Sequence, residues 1–437
     1  MRALLFPSDR GGGFGHVGRC LALAEALREH GWETGFVLGA HHAARVSAAG
    51  WPVFSRTTRT LRGYLSSWLR DVMRLARPQP AYTFFSDVSF QVLRDGWITP
   101  EVVRSELDWE MKVVGEFRPD VLIGDVWLLT RLVGRRAGLP VVQIIRSIMH
   151  PARPHLAWWR EVPAALRPPD VRPVFGPLLQ ELRMPPLRYA EDLLDGDLLL
   201  VPSTPRLDPL PPGVARTAYC GPMVRAVQRV DVHLPEQIDQ LPQDKPLVYV
   251  TMGGGSDAVR DLDLLPLWRA AFEATDWQVV ISLGGKKVAR HSQIGENIHA
   301  FPWLPGPQMM ARADAVVFHG GYGTMMEVVQ QGLPSVVIPF HTEQEANGHR
   351  LEAQGACLVR PYSEGPYQPV VVRWPGGDCT YLRSFTPTLD GLSLNLAVTR
   401  VLNEKAFRTQ ADDLRRTLEF YRGATMAAER IVNLIGA

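Results

Sequence analysis

Short apolar runs alternate with amphipathic stretches from the first residues of the chain. Ala3 to Phe6 are apolar, and Gly11, Gly12, Gly13 and Gly15 form a flexible loop. From Val17 to His30 apolar residues recur at helical spacing (Val17, Leu21, Ala24, Leu27), with Gly31 where a C-terminal cap belongs. Phe36-Val37-Leu38 then closes a strand–helix–strand unit. The unit returns with Val121 to Asp125 as a buried strand, a helix to Gly138, and Pro140 to Ile145 as the next strand. Residues 55–115 carry helix-like stretches, several aromatics and little strand pattern. A Pro-rich region from Pro202 to Pro212 and a Gln- and Pro-punctuated stretch from Val227 to Pro246 read as the approach to a linker. The alternation then restarts. Leu247–Met252, Trp277–Leu283, Ala315–Phe318 and Ser335–Ile338 read as strands with helices between them, and Gly253–Gly255 as a second glycine loop.

Short apolar strands alternating with helices argue for parallel sheets covered on both faces. The expected class is therefore α/β, with two facing Rossmann-like domains and an interdomain cleft at the carboxyl ends of their strands. Residues 1–220 form the first domain, 221–245 a linker region and 246–414 the second. An insertion at about 361–391, with alternating Val370, Val371 and Val372, reads as a hairpin or loop. The chain ends in amphipathic helices from Leu394 to Ile435, the last of which (about 415–437) is expected to pack back on the first domain.

Composition narrows the class. At 437 residues the chain exceeds one ordinary core, and 46% hydrophobic with 21% charged residues is a soluble globular balance. A net charge of +2, with only five Lys among 47 basic residues, gives no reason to expect nucleic acid or an acidic membrane surface as partner. Cys20, Cys220, Cys357 and Cys379 lie too far apart for a disulfide framework or a CxxC metal site. The apolar start breaks at Pro7, and no 18-residue apolar stretch follows, so the reading is cytoplasmic, without a signal peptide or membrane span, as a monomer or homodimer.

The strongest chemical signal is Ala315 to Glu327, a strand running into a glycine-rich turn and then a helix. Gly320, Gly321 and Gly323 remove side chains so that a ligand can approach backbone amides at a helix N-terminus, an arrangement that binds a diphosphate without a metal. His319 adds a donor at the strand's end. The bland alternative is a tight turn with Thr324 and Glu327 as a capping box. The neighbourhood argues against it. Glu343 and Gln344 follow the next strand, and Trp303 follows an earlier one, which together offer a flat aromatic, a phosphate cradle and a pair of hydroxyl binders.

Trp303-Leu304-Pro305, His319-Gly320-Gly321 with Gly323-Thr324, Glu327, Gly332 with Pro334, Pro339, Glu343-Gln344 and Asn347 together resemble the signature of family-1 (UDP-glycosyltransferase-like) glycosyltransferases of the GT-B fold. The resemblance spans roughly fifty residues at fixed spacings. It implies that Trp303 stacks on the nucleotide base, that His319 and the glycine loop hold the diphosphate, and that Glu327 binds the ribose hydroxyls. It also implies that Glu343 and Gln344 read the sugar, with Glu343 standing where the family often has Asp. Thr251-Met252-Gly253-Gly254 resembles the family's Gly-Ser turn, but Gly254 occupies the Ser position, which moves the expected phosphate contact toward Ser256.

Gly13 to Gly18 matches G-x-G-x-x-G, but the acidic residue of a dinucleotide site is missing from the end of the second strand, which argues against a nicotinamide enzyme. Gly13, Gly15 and His16 instead resemble the acceptor loop of bacterial family-1 enzymes, in which His is the general base. An imidazole suits that task because an acceptor hydroxyl is a poor nucleophile until its proton is taken. Asp125 stands where the family carries the carboxylate that orients this His. The alternatives are a helix N-cap for His16 and a helix cap for Asp125. The pairs Asp195–Asp197 and Asp261–Asp263 match a D-x-D metal pattern but read as structural, and His41-His42 lacks further ligands, so no metal or cofactor is expected beyond the UDP- or dTDP-sugar co-substrate. The implied activity is inverting transfer to a small acceptor of lipophilic or natural-product type. A nucleotide-sugar hydrolase and a catalytically idle helper are the alternatives. Seven of the twelve tryptophans lie between Trp51 and Trp159, which suits either an aromatic acceptor pocket or core packing.

Overall fold

The computed structural model describes residues 1–10, 13–56, 79–152, 156–224, 233–253, 262–284, 291–374 and 376–436. Gly254, Ser256 and Asp261, together with Gly11, Gly12 and residues 225–232 of the linker region, lie outside them.

The N-terminal half contributes β1 (Arg2–Pro7), β2 (Glu33–Val37), β3 (Val53–Phe54), β4 (Tyr82–Phe84), β5 (Val121–Asp125), β6 (Val141–Ile144), β7 (Leu198–Val201) and β8 (Thr217–Tyr219). All but β4 form one parallel sheet in the order β3-β2-β1-β5-β6-β7-β8. Its central strands β5 and β6 are buried throughout and β1 from Ala3 onward, as their apolar runs require. The helix Gly15–Glu29 presents Val17, Leu21, Ala24 and Leu27 to that core and ends before Gly31, whose φ of 76° needs no Cβ penalty. Far along the chain, the helix Ala424–Gly436 buries Ala427, Ala428 and Ile431 in the same core.

The second sheet holds β9 (Leu247–Thr251), β10 (Gln278–Ser282), β11 (Ser292–Gly295), β12 (Ile298–Phe301), β13 (Ala315–Phe318), β14 (Ser335–Val337) and β15 (Cys357–Val359), in the order β11-β12-β10-β9-β13-β14-β15. Only the edge strand β11 runs antiparallel among these described strands. With two such sheets the molecule has the α/β, two-Rossmann architecture expected from the alternation.

The insertion is a hairpin. Its strands β16 (Gln368–Trp374) and β17 (Gly377–Ser384) pair antiparallel, and β17 pairs in turn with β4. A three-residue strand from the N-terminal half thus completes a sheet begun by the C-terminal half. Thr83 N donates to Phe340 O at 3.0 Å and Phe85 N to Thr342 Oγ1 at 2.9 Å, so this strap ends against the helix Thr342–Glu352, which begins beside Glu343.

Candidate functional site

The register of the first sheet sets Pro7 of β1 beside Asp125 of β5, which brings the loop after β1 over the end of β5. His16, in the first turn of the helix Gly15–Glu29, places Nδ1 2.7 Å from Asp125 Oδ1. The N-cap position belongs to Phe14, so His16 is not a cap, and the Asp125 side chain is engaged with His16 rather than capping a helix. Val126, directly after Asp125, has φ 54°, a strained conformation for a β-branched residue. Such strain persists only where the surroundings hold it: Val126 N donates to Ile144 O and Val126 O accepts from Gln91 Nε2.

Asp125 is fully buried while the His16 side chain is 31% exposed, so the carboxylate is sealed behind a ring that reaches the cleft. Burial works against ionising Asp125, but the Arg19 guanidinium and then His16 outweigh it and hold the carboxyl below its usual range. Arg19 donates from Nε to Oδ2 at 2.9 Å and from Nη2 to Oδ1 at 2.8 Å. Gly13 and Gly15 open toward free space, with no atom close enough to meet an added Cβ.

On the opposite side, Phe318 pairs with Thr251 and with Val337, which aligns the ends of β9, β13 and β14. His319 is wedged there: a Cβ on Gly253 would lie 2.8 Å from its Cε1, and one on Gly321 2.2 Å from its Nε2. Both glycines are therefore required by the imidazole. Burial, with a smaller contribution from His341, lowers His319 to about 4, so its ring is neutral at physiological pH. Its buried Nδ1 has no partner among the described residues. Gly320 packs against the carbonyl of Gln344, where a Cβ would approach to 2.4 Å, and its own carbonyl accepts from Asn347 Nδ2 at 2.8 Å.

The helix Tyr322–Gln331 starts with Gly321 at its N-cap and no side-chain cap, so the Thr324–Glu327 capping box is not formed. Gly323 is exposed at its first turn, and Thr324 and Glu327 are partly buried. Glu327 faces Gly306, whose Cβ would lie 3.2 Å from Oε2. Trp303, after β12, is 57% exposed. The strands preceding Trp303, His319 and Glu343 are successive in sequence but not in the sheet, because β10 and β9 lie between β12 and β13. Three strand spacings, roughly 14 Å, thus separate the end of β12 from that of β13, spreading indole and glycine loop along the sheet edge. Glu343 is half-buried in the first turn of its helix, whereas Gln344 is 4% exposed and its Oε1 accepts from Phe340 N at 2.9 Å. That oxygen is committed to the backbone, which a reading of sugar hydroxyls from sequence spacing does not foresee.

The two sides meet through residues that sequence reasoning missed. Tyr322, inside the glycine loop, lies between Arg19 (5.3 Å to the ring centroid) and Arg146 (4.0 Å), and its hydroxyl donates to Pro202 O. Arg146 forks onto Asp208 at 2.7 and 2.9 Å and donates to Asn347 Oδ1 at 2.7 Å. Asn347 then donates to Gly320 O, so a buried chain of hydrogen bonds joins the end of β6 to the glycine loop. Arg19 carried a legible signal, since a residue three positions after His16 shares its helix face. Arg146 and Asp208 carried none, being distant in sequence.

The described carboxylates of the D-x-D pairs have partners within the fold. Asp197 accepts from Val141 N, Asp195 pairs with Arg131 and Arg216, and Asp263 accepts from Leu265 N at the start of a helix. His41 and His42 pack edge to face, and the described residues contain no group of three or more His, Cys, Asp or Glu arranged to hold a metal. Trp51, Trp97 and Trp127 are buried in the core, and Phe85 stacks on Phe90 at 4.3 Å, so much of the aromatic concentration serves packing. No described helix is long and apolar enough to cross a membrane.

Residues 269–369, which contain Trp303, the glycine loop and Glu343-Gln344, match the erythromycin biosynthesis protein CIII-like C-terminal domain. A PGL/p-HBAD biosynthesis glycosyltransferase of Mycobacterium tuberculosis is 27% identical over 283 residues, covering 59% of this chain and 62% of the relative. The match thus spans less than two thirds of that protein's length. Among solved structures, CalG4, the calicheamicin glycosyltransferase, superposes with a TM-score of 0.67 at 21% identity over 100% of this chain and 98% of its own. The spinosyn rhamnosyltransferase SpnG complexed with thymidine diphosphate does so with a TM-score of 0.64 at 18% identity, over 99% and 100%. In its matched domain, its relatives and its fold, the chain is similar to the family-1-like glycosyltransferases of the GT-B fold.

Proposed function

We propose that the chain catalyses inverting, metal-independent transfer of a sugar from a UDP- or dTDP-sugar to a hydroxyl of a small acceptor, with His16 as general base. One observation carries the reading: a partly exposed His16 is bonded to the buried Asp125 carboxylate at 2.7 Å, beside a glycine loop at the N-terminus of the facing helix. A carboxylate only accepts, so Nδ1 carries the proton and Nε2 presents its lone pair to the acceptor. As Nε2 takes the hydroxyl proton, the acceptor oxygen bonds to the anomeric carbon while the bond from that carbon to the diphosphate breaks on the opposite face, which inverts the configuration. The charge left on the diphosphate falls to the amides around Gly320, Gly321 and Gly323 and to the helix N-terminus behind them. The thymidine diphosphate held by the spinosyn rhamnosyltransferase supports a nucleoside diphosphate as the leaving group. The glycosyltransferase and rhamnosyltransferase relatives of PGL/p-HBAD biosynthesis support a sugar as the group moved.

His16→Ala should cut transfer by about 10²–10⁴-fold, the range for loss of a general base, and leave nucleoside diphosphate affinity within a few fold. Asp125→Asn should act in the same direction but less steeply. A variant that keeps its rate removes His16 from the chemistry, and one that loses nucleotide binding as severely as turnover makes it structural. Release of free sugar at the full rate without any acceptor would assign the same dyad to a nucleotide-sugar hydrolase.

A further inference from the structure

His16 Nδ1, Arg19 Nη2 and Asp125 Oδ1 form a nearly equilateral triangle, with sides of 2.7 Å (His16 to Asp125), 2.8 Å (Arg19 to Asp125) and 2.9 Å (Arg19 to His16). Arg19 Nε occupies the other carboxylate oxygen at 2.9 Å. A guanidinium has five donors, no acceptor and no proton it can lose in a protein. The arrangement that puts hydrogen on both legs of the triangle is the one in which Nδ1–H and Nη2–H donate together to Oδ1.

We propose that Arg19 is a positioning residue of the base. It fixes Asp125 with one acceptor direction left for the His16 Nδ1–H, which holds the ring with Nε2 open to the acceptor. The inference rests on the reading of His16 as the base. Arg19 has little room to swing away: its side chain is 11% exposed and lies over the Tyr322 ring, itself tethered to Pro202 O. The groups around the dyad are few. Asp125 comes from β5, Arg19 and Cys20 from the helix of His16, and Tyr322 from the facing helix. Burial pushes the Cys20 thiol and the Tyr322 phenol up, so both are neutral. On the neighbouring loops, Asp9 accepts from Gly39 N and interacts with His42. Removing Arg19 therefore frees both Asp125 oxygens that it now holds, and with them the direction of the His16 ring.

The test combines kinetics with nitrogen NMR of the intact chain labelled at histidine. In Arg19→Met kcat should fall about tenfold while nucleoside diphosphate affinity stays within a few fold, and Arg19→Lys, which keeps a donor to Asp125, should recover part of the loss. A kcat that stays at the wild-type value in Arg19→Met, or one that falls together with nucleotide affinity, overturns the proposal. Independently of turnover and of any variant's folding, the neutral His16 ring of the wild type should carry its proton on Nδ1. A ring protonated on Nε2 overturns the proposal as well. Because the tautomer is read without activity, failure of His16 as base, seen as undiminished transfer by His16→Ala, is separable from failure of the role given to Arg19.

Discussion

An indole left 57% exposed on a chain that buries most of its large apolar side chains stands out against its surroundings. Trp303 follows β12 and is fixed by Leu304, whose amide donates to Ser282 Oγ at 3.2 Å and whose side chain is buried, so its backbone is anchored while its ring faces outward. If it stacks on the nucleotide base, Trp303→Ala should weaken binding of the free nucleoside diphosphate by about 1–3 kcal/mol, the scale of base–aromatic stacking. Calorimetry on a variant with an unchanged unfolding midpoint would remove Trp303 from the site if affinity stayed the same. Trp303, His16 and Asp125 were each legible in the sequence because each follows or ends an apolar run that can only be a strand. What a side chain does once placed was less legible. Gln344 reads as a hydroxyl binder by its position, yet its oxygen caps the Phe340 amide, a bond set by how the chain turns after β14 rather than by residue type.

Among the elements, the strap is the feature that pattern alone could not give. β4 has three residues, too few to show alternation, and its partner β17 follows only after both parallel sheets are complete. The hairpin strands β16 and β17 were legible as an insertion because Val370 to Val372 break the helix–strand rhythm, but their attachment to β4 was not. The join is polar as well as stranded. Tyr82, fully buried, donates its hydroxyl to Glu345 Oε2, while Arg160 and His349 approach the same carboxylate at 3.3 and 3.5 Å. Tyr82→Phe keeps the ring and removes the donor from a buried carboxylate, so it should cost about 1–3 kcal/mol of stability. Urea unfolding at pH 7 measures this, and a loss well below 1 kcal/mol would show that Arg160 and His349 satisfy Glu345 without the tyrosine.

For the molecule as a whole, two chemical expectations follow, one from the cleft and one from buried histidines. The glycine amides and the helix N-terminus around Gly320 to Thr324 offer a diphosphate its positive field, so EDTA should leave transfer nearly unchanged, whereas a rate lost to EDTA and restored by Mg²⁺ or Mn²⁺ would reject metal independence. Three of the histidines contribute to the pH dependence of the fold with opposite signs. Burial lowers both His150 and His319 from 6.5 to about 4. Between those values the unfolded chain binds protons that the folded chain refuses, so stability rises with pH across the window. Their contribution is present above about 6.5 and is lost as pH falls through about 4. His349 has the opposite sign: burial alone would lower it, but hydrogen bonds to Glu345 and Glu352 outweigh burial and raise it to about 9. Its contribution is complete below 6.5 and is lost as pH rises through about 9. The melting temperature should therefore fall on both sides of neutrality for two separable reasons. His150→Gln, whose imidazole bonds Thr217 and the Ala152 amide rather than a residue of the proposed site, should shrink the drop in Tm between pH 7 and pH 5 and leave the alkaline side alone. His349→Gln should flatten the alkaline side and, because His349 also holds the Glu352 carboxyl below its usual range, soften the acidic fall only within the ordinary carboxylate range. Equal acidic drops in wild type and His150→Gln would mean that His150 is solvated and takes up its proton in the folded chain as readily as in the unfolded one.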